Sequence, residues 1–235
     1  MTYPGGKGRL WQQIAALMPP HETYIETHLG GGAVLRNKLP ARHSIGIDVD
    51  PSVVAEAHTW GLRNTEFFER DAIEFLSSYR FSGTEMLYCD PPYPLPSRGG
   101  RKYYRCEPQE THHEELILRL RELPCPVIVS GYPGTQYHEQ LSDWHLRKVK
   151  NSTQAGAKEE CLWLNYEPAP LRHDYQCIGS DFRERERIRR RSKRWVRKLE
   201  RLTELERHVV VDAILASDKL LDTIKREFEK PGRRL

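Results

Sequence analysis

The chain has 235 residues, is 38% hydrophobic and carries a formal net charge of +4. That length holds one sizeable domain with an appendage; with a mean hydropathy of -0.71 and no apolar stretch near the ~20 residues of a membrane span, an integral helical membrane protein is excluded. Five scattered cysteines (Cys89, Cys106, Cys125, Cys161 and Cys177) form no Cys-x-x-Cys pair, which argues against zinc and a disulfide framework; with no apolar signal region after Met1, a reducing, cytoplasmic setting is expected.

In chain order, candidate strands are Thr23–Leu29, Ser44–Val49, Thr65–Glu69, Glu85–Cys89, Val127–Ser130, His145–Lys150 and Cys161–Tyr166. Segments such as Gly31–Lys38, Pro51–Thr59 and Gln109–Leu123 read as helices between them. Short strands alternating with helices predict an α/β fold with a parallel, doubly wound sheet. The last two strands lie close enough in sequence to pair antiparallel at one edge. Pro168-Ala169-Pro170 marks a boundary, so the expected domains are 1–168 and 169–235. Beyond residue 180, Ile188, Trp195, Leu199 and Leu202 recur at helical spacing, and Val209–Leu215 and Leu220–Phe228 continue it. Two or three helices are predicted there.

Charge divides at the same place. Residues 171–235 hold 19 Lys and Arg against 12 Asp and Glu, whereas residues 1–170 hold 18 against 21. Eleven of the tail's cations fall within 183–201. Such a run is either a solvated helix face or a polyanion surface. The apolar spacing around Trp195 equally allows helix pairing, including a homodimer.

Four segments carry chemistry. Tyr3-Pro4-Gly5-Gly6-Lys7 combines paired glycines, which let a backbone approach a ligand, with one cation. Ile25-Glu26-Thr27-His28-Leu29-Gly30-Gly31-Gly32 reads as a strand entering a glycine turn before a helix. Such turns hold cofactors against the backbone. Leu35 stands where a full dinucleotide fingerprint needs its last glycine, so a phosphate-free cofactor is compatible. Ile45-Gly46-Ile47-Asp48-Val49-Asp50 ends a second strand with two acids. Asp50 before Pro51 suits a helix cap, which leaves Asp48 for ribose hydroxyls. Asp71 either caps a helix or meets a cofactor's adenine amino group. Asp90-Pro91-Pro92-Tyr93 follows the apolar run Met86-Leu87-Tyr88-Cys89. It sets an acceptor, a rigid turn and a stacking ring at the rim where open α/β sheets bind ligands.

Taken together, these segments resemble the DNA adenine methylases, which methylate amino groups with S-adenosylmethionine. YPGGK resembles their N-terminal motif, ETHLGGG their first cofactor motif, GIDVD their acidic second motif and DPPY their catalytic motif. Glu160-Cys161-Leu162-Trp163-Leu164-Asn165-Tyr166 resembles their late strand. The resemblance covers residues 1–168 and implies a Rossmann-like methyltransferase sheet of about seven strands, with no metal. It places Tyr3, Gly5, Lys7, Glu26, Gly30, Gly32, Asp48, Asp71 and Asp90 around S-adenosylmethionine. It makes Asp90, Pro91, Pro92 and Tyr93 catalytic: Asp90 and the Pro91 carbonyl would accept the adenine amino group, and Tyr93 would stack on a base flipped out of DNA.

The chain departs from that pattern in two places. Thr27-His28 stands where the family has Pro-Phe, and His28 is expected to be a packed structural residue. No target-recognition domain fits between the motifs: 20 residues separate Asp50 from Asp71 and 18 separate Asp71 from Asp90, against the ~40 an independent fold needs. Relaxed or very short sequence specificity is therefore expected. Arg98, Arg101, Lys102, Tyr103, Tyr104 and Arg105 mix cations with rings in a glycine-bearing loop, which suits DNA phosphates and bases; an ordinary surface loop is the alternative. Pro124-Cys125 lacks the supporting motifs of a cytosine-methylating nucleophile, so Cys125 is read as structural. Amino methylation of RNA, and a non-catalytic DNA-binding protein with a vestigial cofactor site, remain open, as does the role in restriction protection, regulation or phage-type genome masking.

Overall fold

The computed structural model describes residues 7–8, 10–92, 110–153 and 156–229. Seven strands form one sheet in the order β3-β2-β1-β4-β5-β7-β6. They are β1 Thr23–Glu26, β2 His43–Asp48, β3 Thr65–Glu69, β4 Glu85–Cys89, β5 Val127–Gly131, β6 His145–Thr153 and β7 Gly156–Leu164. The pairs β1–β2, β2–β3, β1–β4 and β4–β5 are parallel; β5–β7 and β6–β7 are antiparallel. This is the doubly wound, Rossmann-like α/β sheet that the alternation predicts, with the expected antiparallel pair at one edge.

The central strands are apolar on both faces because helices cover both. Side chains alternate along a strand, and the core splits accordingly. Ile25, Leu87, Cys89, Val127 and Val129 face one layer, packed with Ile73 and Phe75 of α4 (Ala72–Ser78), Leu116 and Leu120 of α5 (Glu110–Arg121) and Tyr137 of α6 (Gln136–Gln140). Tyr24, Met86, Tyr88 and Ile128 face the other, with Ile14 of α1 (Trp11–Ala15), Val34 and Leu35 of α2 (Ala33–Asn37) and Val53 and Ala57 of α3 (Pro51–His58).

Beyond Pro170 the chain first leans on the segment between α1 and β1. His173 donates its backbone N–H to Met18 at 3.0 Å, and its ring stacks on His21 at 3.9 Å. Then come α7 (Phe182–Glu200), α8 (Glu204–Leu215) and α9 (Asp218–Phe228). Asp181 caps α7, and Thr203 with Glu206 forms a capping box on α8. Neither α7 nor α8 buries a residue. Among the described residues, no helix is long and apolar enough to cross a membrane.

The first strand ends earlier than predicted, at Glu26 instead of Leu29. Thr27 and Leu29 still donate backbone N–H groups to Tyr88 and Ile47, at 3.1 and 2.9 Å, but the chain is already bending into the glycine turn. Helices α1 and α6 are additional to the predicted ones, and α4 is the helix that the capping reading of Asp71 implies. They run five to seven residues, too short for an apolar repeat to show.

Candidate active site

Parallel register brings the C-terminal ends of β1, β2 and β4 to one edge. Glu26 lies opposite Gly46 on one side and Tyr88 on the other. The segments following these strands therefore meet, although they are far apart in sequence.

The glycine turn is built as its residues require. Gly30 and Gly32 have φ of +46° and +58°, a left-handed region that costs other residues energy. Gly32 has a second reason to lack a side chain: an added Cβ would stand 2.4 Å from the Trp60 ring. The Arg36 guanidinium lies 4.7 Å over that ring, and Phe67 meets it near a right angle at 5.8 Å. Trp60 is thus a wall of the turn that its motif did not reveal.

Asp48 ties the second strand to this turn. One carboxylate oxygen accepts the Gly30 N–H at 2.9 Å, and the other accepts the Asp50 N–H at 3.0 Å. Burial pushes its pKa up, and these N–H groups oppose the shift. Asp50 is the helix cap, accepting from Ser52 at 2.9 Å. Asp71 caps α4 through the N–H groups of Ile73 and Glu74, while its other oxygen lies 3.5 Å from His112 Nε2.

Asp90 leaves the buried end of β4 with a side chain 17% exposed, and Lys7, 4% exposed, sits 2.8 Å from its Oδ1. Lys7 also reaches Glu160 Oε2 on β7 at 3.5 Å. Glu160 belongs to the late-strand motif, but no site role is legible there; the one signal is a buried acid flanking the apolar run Cys161–Leu164. Pro91 is buried and Pro92 half-buried. Behind them, His28 Nδ1 stands 3.0 Å from the Thr27 hydroxyl and 3.7 Å from Cys89 Sγ. Burial lowers its pKa to about 3, so the ring is neutral, as a packed histidine should be. Cys125 is buried and its thiol is pushed up to about 12, which makes it a poor nucleophile. Tyr3, Gly5, Tyr93, Arg98, Arg101, Lys102, Tyr103, Tyr104 and Arg105 lie outside the described residues. Among the described residues no group of acids, histidines and cysteines is arranged to hold a metal ion.

Glu26 lies beneath the turn. Its Oε2 accepts the Tyr24 hydroxyl at 2.8 Å and the Leu35 N–H at 2.9 Å. Burial raises its pKa from 4.5 to about 8. The folded state therefore favours the neutral acid, so this stabilisation is complete below pH 4.5 and is lost as pH rises to about 8. Glu26→Gln keeps an acceptor for both donors and carries no charge. The variant should gain stability relative to the parent as pH rises through that window, reaching on the order of 3 kcal/mol at pH 8. Urea melts of both proteins at pH 4.5, 6 and 8 measure the difference; a constant gap would show that Glu26 does not titrate there.

No protein-family model matches the chain, and no curated protein sequence matches it. Solved structures similar to it include precorrin-6y C5,15-methyltransferase from Geobacter metallireducens, at 12% identity and TM-score 0.47 over 66% of this chain and 87% of that one. Precorrin-8w decarboxylase of Methanobacterium thermoautotrophicum is 16% identical, with TM-score 0.45 over 70% and 94%. A dimethyladenosine transferase from Plasmodium falciparum is 16% identical, with TM-score 0.42 over 66% and 60%. The fold assignment itself rests on strand order, register and the two-layered core.

Proposed function

We propose that the protein is an amino methyltransferase that uses S-adenosylmethionine. Its substrate, on this reading, is the N6 amino group of adenine in DNA. The observation that carries the proposal is Asp90: a carboxylate anchored by a buried lysine, followed by two prolines, on the sheet edge that also holds the Gly30–Gly32 turn and Asp48.

The residues present fit that cofactor. The turn offers backbone without side chains, and Asp48 offers acceptors beside it for ribose hydroxyls. Asp71 stands at the next strand end for an adenine ring, and Lys7 completes the wall near Asp90. When bound, S-adenosylmethionine supplies an electrophilic methyl group on a sulfonium centre. The chain's own task is to prepare the amine. An adenine amino group is a weak nucleophile because its lone pair is delocalised into the ring. The Asp90 carboxylate and the Pro91 carbonyl accept its two N–H groups, draw the nitrogen towards tetrahedral geometry and localise that pair. They also stabilise positive charge developing on the amine, and positioning contributes further. Tyr93 stacks on the extruded base.

The spaces between the motifs support relaxed specificity. Residues 51–70 are occupied by α3 and β3, and residues 72–89 by α4 and β4, so no inserted recognition domain stands there. Purified protein given methyl-labelled cofactor should label duplex DNA, and digestion should release N6-methyladenine. Label confined to RNA would replace the DNA reading, and label in neither nucleic acid would remove it. A strictly required site of four or more bases would overturn relaxed specificity.

A further inference from the structure

We propose that α7 is a phosphate-docking helix, which holds a DNA duplex against the protein at a surface separate from the Asp90 corner. Arg190, Lys193, Arg194, Arg197, Lys198 and Arg201 line one groove of about 380 Å³. At 3.6 residues per turn they fall within an arc of about 140° and span about 16 Å along the axis. Ile188, Trp195 and Leu199 fall on the opposite side, so the groove cations and these three apolar residues occupy separate faces of the helix.

Most of the charge in this groove is not neutralised internally. The acids of the first turns reach only its near end: Glu184 pairs with Arg187, and Glu186 pairs with Arg189 and with Arg190, the first cation of the groove. Among the described residues, no carboxylate pairs with Lys193, Arg194, Arg197 or Arg201. Lys198 lies 4.8 Å over the Trp195 ring. Concentrating this many cations on one face costs repulsive energy, which an anionic partner would relieve. The partner must also match the shape. A rod of regularly spaced phosphates suits a straight cationic helix, and arginine's planar fork suits phosphate oxygens. An anionic bilayer suits it less well, because an interfacial helix needs a broad apolar face, and α7 carries ten cations from Phe182 to Glu200 against five apolar residues.

The choice of DNA rests on the proposed adenine methylation; the choice of phosphate rests on α7 alone. Phosphate contacts hold a protein on a duplex without reading its sequence. Such a surface would grip the duplex without a recognition domain inserted between the motifs.

The test compares two quadruple variants of the full chain. One is Lys193→Gln, Arg194→Gln, Arg197→Gln and Arg201→Gln. The other removes equal charge from α8 and α9: Arg207→Gln, Lys219→Gln, Lys225→Gln and Arg226→Gln. Binding to a 30-base-pair mixed duplex is measured by fluorescence anisotropy between 50 and 200 mM salt. The groove variant should bind at least 10-fold more weakly at 50 mM. Its log K against log salt slope should flatten by about 0.9 for each phosphate it no longer neutralises. The control variant should stay within about 2-fold of the parent. Equal losses in both variants, no loss in either, or no duplex binding by the parent overturns the proposal. So does tighter binding to double-stranded RNA or to vesicles containing phosphatidylserine. Methyl transfer is scored separately: duplex binding through α7 without transfer removes the methylation reading and leaves this one standing.

Discussion

Asp90→Ala should lower methyl transfer by about 10³-fold while the fold survives. The rate loss follows from removing a preorganised acceptor at the reacting amine, an effect typically worth 10²–10³, together with a cation left facing the reaction space. Fold survival follows from the geometry. Losing one member of a buried ion pair is costly when the other is stranded, but Lys7 keeps Glu160 within 3.5 Å. The alanine also sits at a partly open strand end instead of inside a packed layer. Single-turnover transfer of labelled methyl to DNA, with circular dichroism and a thermal melt beside it, measures both halves. Transfer within 10-fold of the parent would remove Asp90 from the chemistry. Collapse of the melt would show instead that the Lys7–Asp90 pair is chiefly structural.

Gly32→Ala should cost about 3 kcal/mol of stability and much of the cofactor affinity. Two terms add. A left-handed backbone costs a residue with a Cβ about 1–2 kcal/mol, and the new methyl would sit 2.4 Å from Trp60. Overpacking of that kind typically costs about 1–3 kcal/mol. Arg36 and Phe67 pack against the ring and resist its moving aside. Gly134→Ala separates the terms, because Gly134 has φ +76° and nothing within 4 Å of its added Cβ. It should lose only the backbone term. In the Gly32→Ala background, Trp60→Leu should recover part of the loss. Equal destabilisation at Gly32 and Gly134 would mean that the Trp60 contact carries no weight.

These two residues also mark what the sequence discloses. The strands β3 and β4 match prediction residue for residue, because each is a short run bounded by turn-forming residues. Asp50 is legible as a cap because Pro51 follows it, and Gly30 and Gly32 because few other residues tolerate such turns. Trp60 and Glu160 are not legible. Each reaches the site from a distant part of the chain, through sheet register and layer packing that no local pattern encodes. Asp71 is half legible: its capping bonds are local, whereas its approach to His112 depends on α5 packing beside α4.

The strand order has a consequence for the chain as it emerges from the ribosome. Among the described residues, β6 bonds only to β7, and β7 is also what pairs with the free side of β5. Until residue 164 has been made, β6 has no place in the sheet, and β5, wholly buried in the finished fold, presents an open edge. Such an edge invites pairing with other chains. Chains released with their ends between residues 131 and 156 should therefore be the aggregation-prone ones, and chains that extend through β7 should lose that exposure.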